Sequence, residues 1–195
     1  MTTIATKFTL DTNCLIAVED NRPEKDAVLS LVAAAKDGRA DVAIVASSAS
    51  ERQIGGGYLA NIGDFVTRLG ELGFGHLELL KPIGAFDVSF YDHAIYPSPE
   101  QIELQKEIFS ALFPTIEPSW SKHAAGRGVE PTEFDSPEGW KWRNKLLDVQ
   151  AMWAHLNYDR DVFVTSDKNF ARRLLSKERF GDVIITTPGE ALCLL

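Results

Sequence analysis

A chain of 195 residues with 45% hydrophobic content can bury one sizeable core and is only slightly longer than the usual single domain. Its formal charge of -8 argues against a broad basic face that grips nucleic acid, because phosphate contacts dominate such affinity. No run approaches the roughly 18 to 20 apolar residues of a membrane helix, and MTTIATKFTLD has neither an apolar signal core nor a small-residue cleavage site. A soluble, cytoplasmic protein is expected.

The apolar run Phe8 to Leu10, followed by Asp11, Thr12, Asn13 and the apolar patch Cys14 to Val18, reads as a buried strand running into a helix. Pro23 suits the first turn of a second helix, whose apolar positions Ala27, Val28, Leu31, Val32 and Ala35 recur at helical spacing until Gly38. Asp41 to Ala46 is a short β-rich run expected of a second buried strand. Ser47 to Ser50 then offer capping groups for a helix opened by Glu51 and interrupted by Gly55, Gly56 and Gly57. A helix from Asn61 to Leu72 and a strand from His76 to Leu80 follow.

From about residue 83 to 139 the texture changes. Six prolines (97, 99, 114, 118, 131 and 137) break the segment, leaving one clear helical piece, Glu100 to Phe113, and the region reads as an insertion or elaborated loop within a single domain spanning 1–195. Periodicity returns at Trp140, with Leu146, Val149, Trp153 and Leu156 on one helical face. Asp161 to Thr165 is the next strand, a helix passes through Arg172 to Leu175, and Val183 to Thr186 is the last strand. This alternation implies an α/β fold with a mostly parallel sheet covered by helices on both sides.

Functional groups in such a sheet gather outside the carboxyl ends of the strands. Asp11, Glu51 and Asp167 are placed at that edge by the alternation alone, and Asp148 joins them if its helix packs across the edge. Asp148 interrupts the apolar neighbourhood of Leu146, Leu147, Val149, Ala151 and Met152. A carboxylate there must either face solvent or meet a cation. Acids converging without matching lysines or arginines repel one another unless a hard cation such as Mg2+ or Mn2+, which prefers oxygen ligands, sits between them. The structural alternatives are helix capping by Asp11 and Asp167 and surface exposure of Glu51 and Asp148.

The segments FTLDTNCLI, Glu51 after a strand and serines, LLDVQAMWAH and VFVTSDKNF together resemble a PIN domain, the nuclease fold that includes VapC-type toxins. The family's opening Asp-Thr-Asn/Ser, second acid after the second strand, third acid within a helix and fourth acid in Thr-x-Asp match Asp11, Glu51, Asp148 and Asp167, with Asn13 and Thr165 as polar supports. The resemblance covers about residues 7–80 and 140–187 and leaves the proline-rich middle outside. It implies a three-layer α/β/α fold and metal-dependent hydrolysis of phosphodiester bonds, most often in RNA. Asp11 and Asp148 would be primary ligands of Mg2+ or Mn2+, and Glu51 and Asp167 would bind directly, through water or at a second metal. An antitoxin or other protein partner and a homodimer are also implied as possible assemblies.

Beyond the acids, the sequence offers weaker substrate contacts. Lys168, Arg172, Arg173, Lys177 and Arg179 form either a solvated helix face or a phosphate-contacting edge. Trp140 and Trp142, beside Lys141, Arg143 and Lys145, are candidates for stacking on unpaired bases or for partner contact, whereas Trp153 reads as core. His155, two helical turns after Asp148, reads as a surface residue or a substrate contact. His93 and His123 lack metal spacing, and Cys14 and Cys193 read as buried apolar fillers. Two rivals stand beside the nuclease. An aspartyl-phosphate phosphatase would need an aspartate where Asn13 stands, and a catalytically silent RNA- or protein-binding domain would keep the fold without the chemistry.

Overall fold

The three central strands form where expected because their apolar runs are buried on both faces, while the two edge strands are partly exposed. The computed structural model describes residues 5–51 and 57–195. β1 (Lys7–Leu10) leads into α1 (Thr12–Glu19), α2 (Lys25–Lys36) and β2 (Asp41–Val45). A 3-10 turn over Ala46–Ser50 precedes α3 (Ile62–Glu71) and β3 (Glu78–Leu80). The middle of the chain forms α4 (Pro99–Leu112) and α5 (Trp120–Arg127). The long α6 (Pro137–Asn157), β4 (Val162–Val164), α7 (Lys168–Leu174), β5 (Ile184–Thr186) and α8 (Pro188–Ala191) complete it.

The five strands pair in parallel in the order β3-β2-β1-β4-β5. Alternate residues of the central strands serve opposite faces, as the pleat requires. Phe8, Leu10, Val42, Ile44, Val162 and Val164 pack with α1, α2 and α3 residues in one hydrophobic cluster, while Ala43, Val45 and Phe163 pack with α4, α6 and α7 in another. Two cores on two faces make three layers, the α/β/α architecture expected from the alternating pattern.

Local chemistry sets the boundaries. Asp11 caps α1 by accepting from the Thr12 amide, Asn61 caps α3 by accepting from the Asp64 amide, and Ser98 begins α4 with a reciprocal capping box to Gln101. Gly38 lies just beyond α2 at φ 71°, a left-handed geometry that favours glycine. The expected interruption at Gly55 and Gly56 lies outside the described residues.

Two expectations change, and a third, the helix expected from Glu51, lies outside the described residues: Glu51 itself has an extended backbone (φ -73°, ψ 149°) at the end of the 3-10 turn, where the Ser50 hydroxyl donates to Val88 O over 2.6 Å and ties the turn to the middle segment. That middle segment, read as an elaboration, supplies part of one core. Ile108, Phe109, Ala111 and Leu112 of α4 are buried against the α6 layer. The segment also contains α5, whose sequence WSKHAAGR carries no apolar period and which stops at Gly128 in the left-handed region. Finally, Cys14 is buried as expected but Cys193, two residues before Leu195, is exposed. Among the described residues no helix is long and apolar enough to cross a membrane.

A candidate acidic site at the carboxyl edge of the sheet

The order of the strands locates a crevice before any side chain is considered. After β1 the chain turns toward β2 and β3. After α6 it returns on the other side of β1 to form β4 and β5. The connections leaving β1 and β4 therefore diverge, and such a switch point opens a cleft at the carboxyl edge. Asp11 directly follows β1 and Asp167 lies three residues beyond β4.

Asp11 is held firmly. It is only 7% exposed. One carboxylate oxygen accepts from the Thr12 amide at 2.8 Å, and the other accepts from Asn13 Nδ2 at 2.6 Å and from the Thr165 hydroxyl at 2.7 Å. Thr165 Oγ1 in turn accepts from the Asp167 amide at 3.0 Å and Asn13 Nδ2 at 2.7 Å, while Asn13 Oδ1 accepts from the Ser166 amide at 3.2 Å. Asn13 and Thr165 thus lock the β1 and β4 ends together around one carboxylate. Asp167 caps α7 through the Asn169 amide at 2.8 Å.

Glu51 and Asp148 enter from the other elements. The helix α6 packs on the turn after β2, where Arg143 Nε donates to Ser50 O at 3.2 Å. Asp148 lies five positions further along α6, on the stretch of helix that follows this contact.

The electrostatics couple these positions to one another. Burial pushes Asp11 up to about 6; Thr165 and Thr12 hydrogen bonds pull it back in part, and Asp167 raises it further. Burial pushes Glu51 up to about 7; a Thr12 hydrogen bond opposes this, Asp11 adds to it, and the charge of Arg68 again opposes it. Asp148 is raised well above the ordinary carboxylate range, first by burial and then by the charges of Asp11, Glu51 and Asp167, with Lys145 offsetting in part. Each of the other three acids therefore lies within electrostatic reach of Asp148. Lys145 was not singled out from the sequence as an electrostatic partner, although it sits three positions before Asp148, on the neighbouring turn of the same helix face. The Thr12 hydroxyl, which donates to Ser48 Oγ at 2.7 Å, is a second such residue.

In comparisons with protein-family models, curated proteins and solved structures, nothing matches the chain.

The donor chemistry of the four acids suits a hard divalent cation, since each offers carboxylate oxygen and their charges are only partly offset. Among the described residues no three histidine, cysteine, aspartate or glutamate side chains form a group already able to hold a metal ion. The side chains would have to close toward one another around a cation.

The weaker contacts divide. Trp142 is corrected: it is 6% exposed, packs in the α4/α6 core and donates its indole N–H to Glu117 O at 2.9 Å, so it cannot stack on a base. Arg143 is corrected as well. It is buried, its guanidinium donates to Ser50 O and Asp87 O, and it lies 3.6 Å from the Tyr58 ring centroid, which makes it a strut of the site's wall. Lys168 is exposed next to Asp167, and Arg172 is exposed with its guanidinium on Asn169 Oδ1 at 2.6 Å. Arg173 is partly structural, donating to Leu112 O at 2.8 Å, and Arg179 pairs with Glu107. His155 is neither exposed nor in the site. It is 1% exposed and 3.1 Å from Thr9 Oγ1, and burial aided by Arg160 pushes it down to about 4. Trp153 is fully buried, as expected of core.

Proposed function

We propose that the chain is a metal-dependent nuclease that hydrolyses RNA phosphodiester bonds. The observation that carries this reading is the convergence of Asp11, Glu51, Asp148 and Asp167, from four separate chain segments, on one electrostatically coupled edge at the switch point of a parallel sheet. Structural roles account for two of the acids, since Asp11 and Asp167 cap helices. They do not account for a raised, partly buried Asp148 that feels the charges of the other three.

In this proposal Asp11 and Asp148 are the principal ligands, and Glu51 and Asp167 complete the set directly or through water. A bound Mg2+ or Mn2+ would supply a water of lowered pKa and neutralise charge on the phosphoryl oxygens. Thr165 and Asn13 hold the Asp11 carboxylate in one orientation, so that its ligand geometry is set before substrate arrives. Because Asp11 and Glu51 bind protons up to about pH 6 and 7, protons compete with the cation for both carboxylates in that range. In this reading Lys168, exposed next to Asp167, and Arg172, exposed on the same helix, would meet the substrate backbone.

Incubating the purified chain with labelled single-stranded RNA and Mg2+ or Mn2+ tests the reading. Cleavage that chelation stops and Asp11→Asn abolishes is the expected result. Binding without cleavage would instead fit a catalytically silent RNA-binding domain.

A further inference from the structure

Three large aromatic side chains stand almost fully in solvent within one short stretch: Phe86 at 93%, Tyr91 at 87% and Tyr96 at 88% exposure. Exposed single aromatics are ordinary, but these three line a shared concave cavity of about 540 Å³, together with Asp87 and Ser89. That volume lies in the range of small-molecule sites, roughly 300–1,000 Å³.

The cavity is built on a fixed frame. Gly84 and Ile95 are bonded across its base, with Gly84 N donating to Ile95 O at 3.0 Å and Ile95 N donating to Pro82 O at 2.9 Å. The Ser89 hydroxyl accepts from the Ala85 amide at 3.0 Å and lies 3.3 Å from Ile83 O, and Ile83 itself is core. Asp87 adopts a left-handed φ of 57°, an uncommon geometry held at its carbonyl by Arg143. The aromatic rings are thus displayed by an ordered backbone.

The frame also touches the acidic site. Val88 O receives the Ser50 hydroxyl one residue before Glu51, and Arg143 joins Asp87 O to Ser50 O. Asp87 and Ser89 line both this cavity and the neighbouring cleft around Tyr58 and Arg143. The segment follows β3, so it rises from the same carboxyl edge as the acids.

We propose that this cavity is a nucleobase subsite, which holds an unpaired base of a single-stranded RNA whose backbone crosses the four acids. The proposal rests on the nuclease reading for the identity of the polymer. Its own basis is the chemistry of the cavity: π faces for stacking, phenol, hydroxyl and carboxylate groups for base edges, and no lysine or arginine among the lining residues to hold a phosphate. A base fits that surface better than the charged backbone does. Tyr91 and Tyr96 Oη lie 3.2 Å apart, so one hydrogen bond links the two phenols.

The test measures equilibrium binding of a labelled RNA decamer, with Mg2+ present, to the Asp11→Asn chain, with and without Phe86→Ala, Tyr91→Ala and Tyr96→Ala together. The same measurement is repeated with decamers carrying one abasic position in turn. Losing a base stack weakens binding by on the order of 5- to 150-fold, so the triple substitution is expected to raise Kd at least about fivefold. An abasic position should cost affinity with the aromatic chain and nothing further with the alanine chain. These residues are exposed, so thermal melting should show both chains equally folded. Equal affinities for both chains, or a decamer that neither chain binds, would overturn the subsite; equal affinities would also be the result if the patch instead docks a protein. Aromatic-dependent binding by a chain whose unsubstituted form cleaves no RNA would sink the nuclease reading alone. Cleavage with aromatic-independent binding would sink the subsite alone.

Discussion

Replacing Glu51 with glutamine removes a charge that the folded protein carries at a cost. Burial raises this carboxyl from 4.5 to about 7, so the folded state binds its proton more tightly than the unfolded state. The stability linked to that proton is fully present below pH 4.5 and is lost as pH rises through 7. At about 1.4 kcal/mol per tenfold change in proton affinity, the full effect is roughly 3 kcal/mol. Partial exposure of the side chain screens some of it, leaving roughly 2–3 kcal/mol. For a chain of this size each kcal/mol moves Tm by about 2–4 °C. Thermal melting in chelator at pH 4.5 and pH 8 should therefore show glutamine raising Tm by about 4–12 °C at pH 8 and by little at pH 4.5, where the wild-type carboxyl is largely protonated. Adding Mg2+ at pH 8 should narrow the gap by stabilising the wild type more. Parallel pH dependences for the two chains in chelator would refute the claim that Glu51 is ionised under strain.

Saturating Mg2+ or Mn2+ should stabilise the wild type by about 2–3 kcal/mol at a hundredfold excess over Kd, read by calorimetry, and should stabilise Asp148→Asn much less. Thr165→Val strips a hydroxyl that serves Asp11, Asn13 and the Asp167 amide; urea unfolding should show a loss of about 1–3 kcal/mol. Trp142→Ala should destabilise by about 3–5 kcal/mol in the same assay, with any loss of RNA binding recovered under conditions that restore folding. If the chain acts as a toxin, inducing it alone arrests growth while inducing Asp11→Asn does not; equal growth beside cleavage in vitro would separate the nuclease from the toxin role.

Much of this architecture was legible because the central strands are buried on both faces and so appear as short apolar runs, as at Phe8–Leu10 and Val162–Val164. Asp11 and Asp167 were legible for the same reason, since a strand's end fixes the edge on which its next residue lies. Before Glu51, the serine-rich SSAS permits a helix cap or a 3-10 turn equally well. The bond from Ser50 to Val88, far off in sequence, goes with the second. Trp142 and Arg143 misled because flanking cations accompany aromatic residues on surfaces and at core margins alike. The helical phase held the better signal: Trp142 precedes Leu146, Val149 and Trp153 by 4, 7 and 11 positions, on the same apolar stripe. The middle segment's contribution to the core was hidden by its prolines, which end helices without saying what those helices cover.

The rate of single-stranded RNA cleavage as a function of Mn2+ or Mg2+ concentration, compared between the wild type and Asp148→Asn, tests the central claim most directly. Asp148 has no capping role to lose, and the charges of Asp11, Glu51 and Asp167 all reach it. The four-acid account predicts a wild-type rate that vanishes in chelator and saturates with metal, and an asparagine variant at least about a hundredfold slower that remains folded. Cleavage that proceeds equally in both chains, or that persists undiminished in chelator, would contradict it.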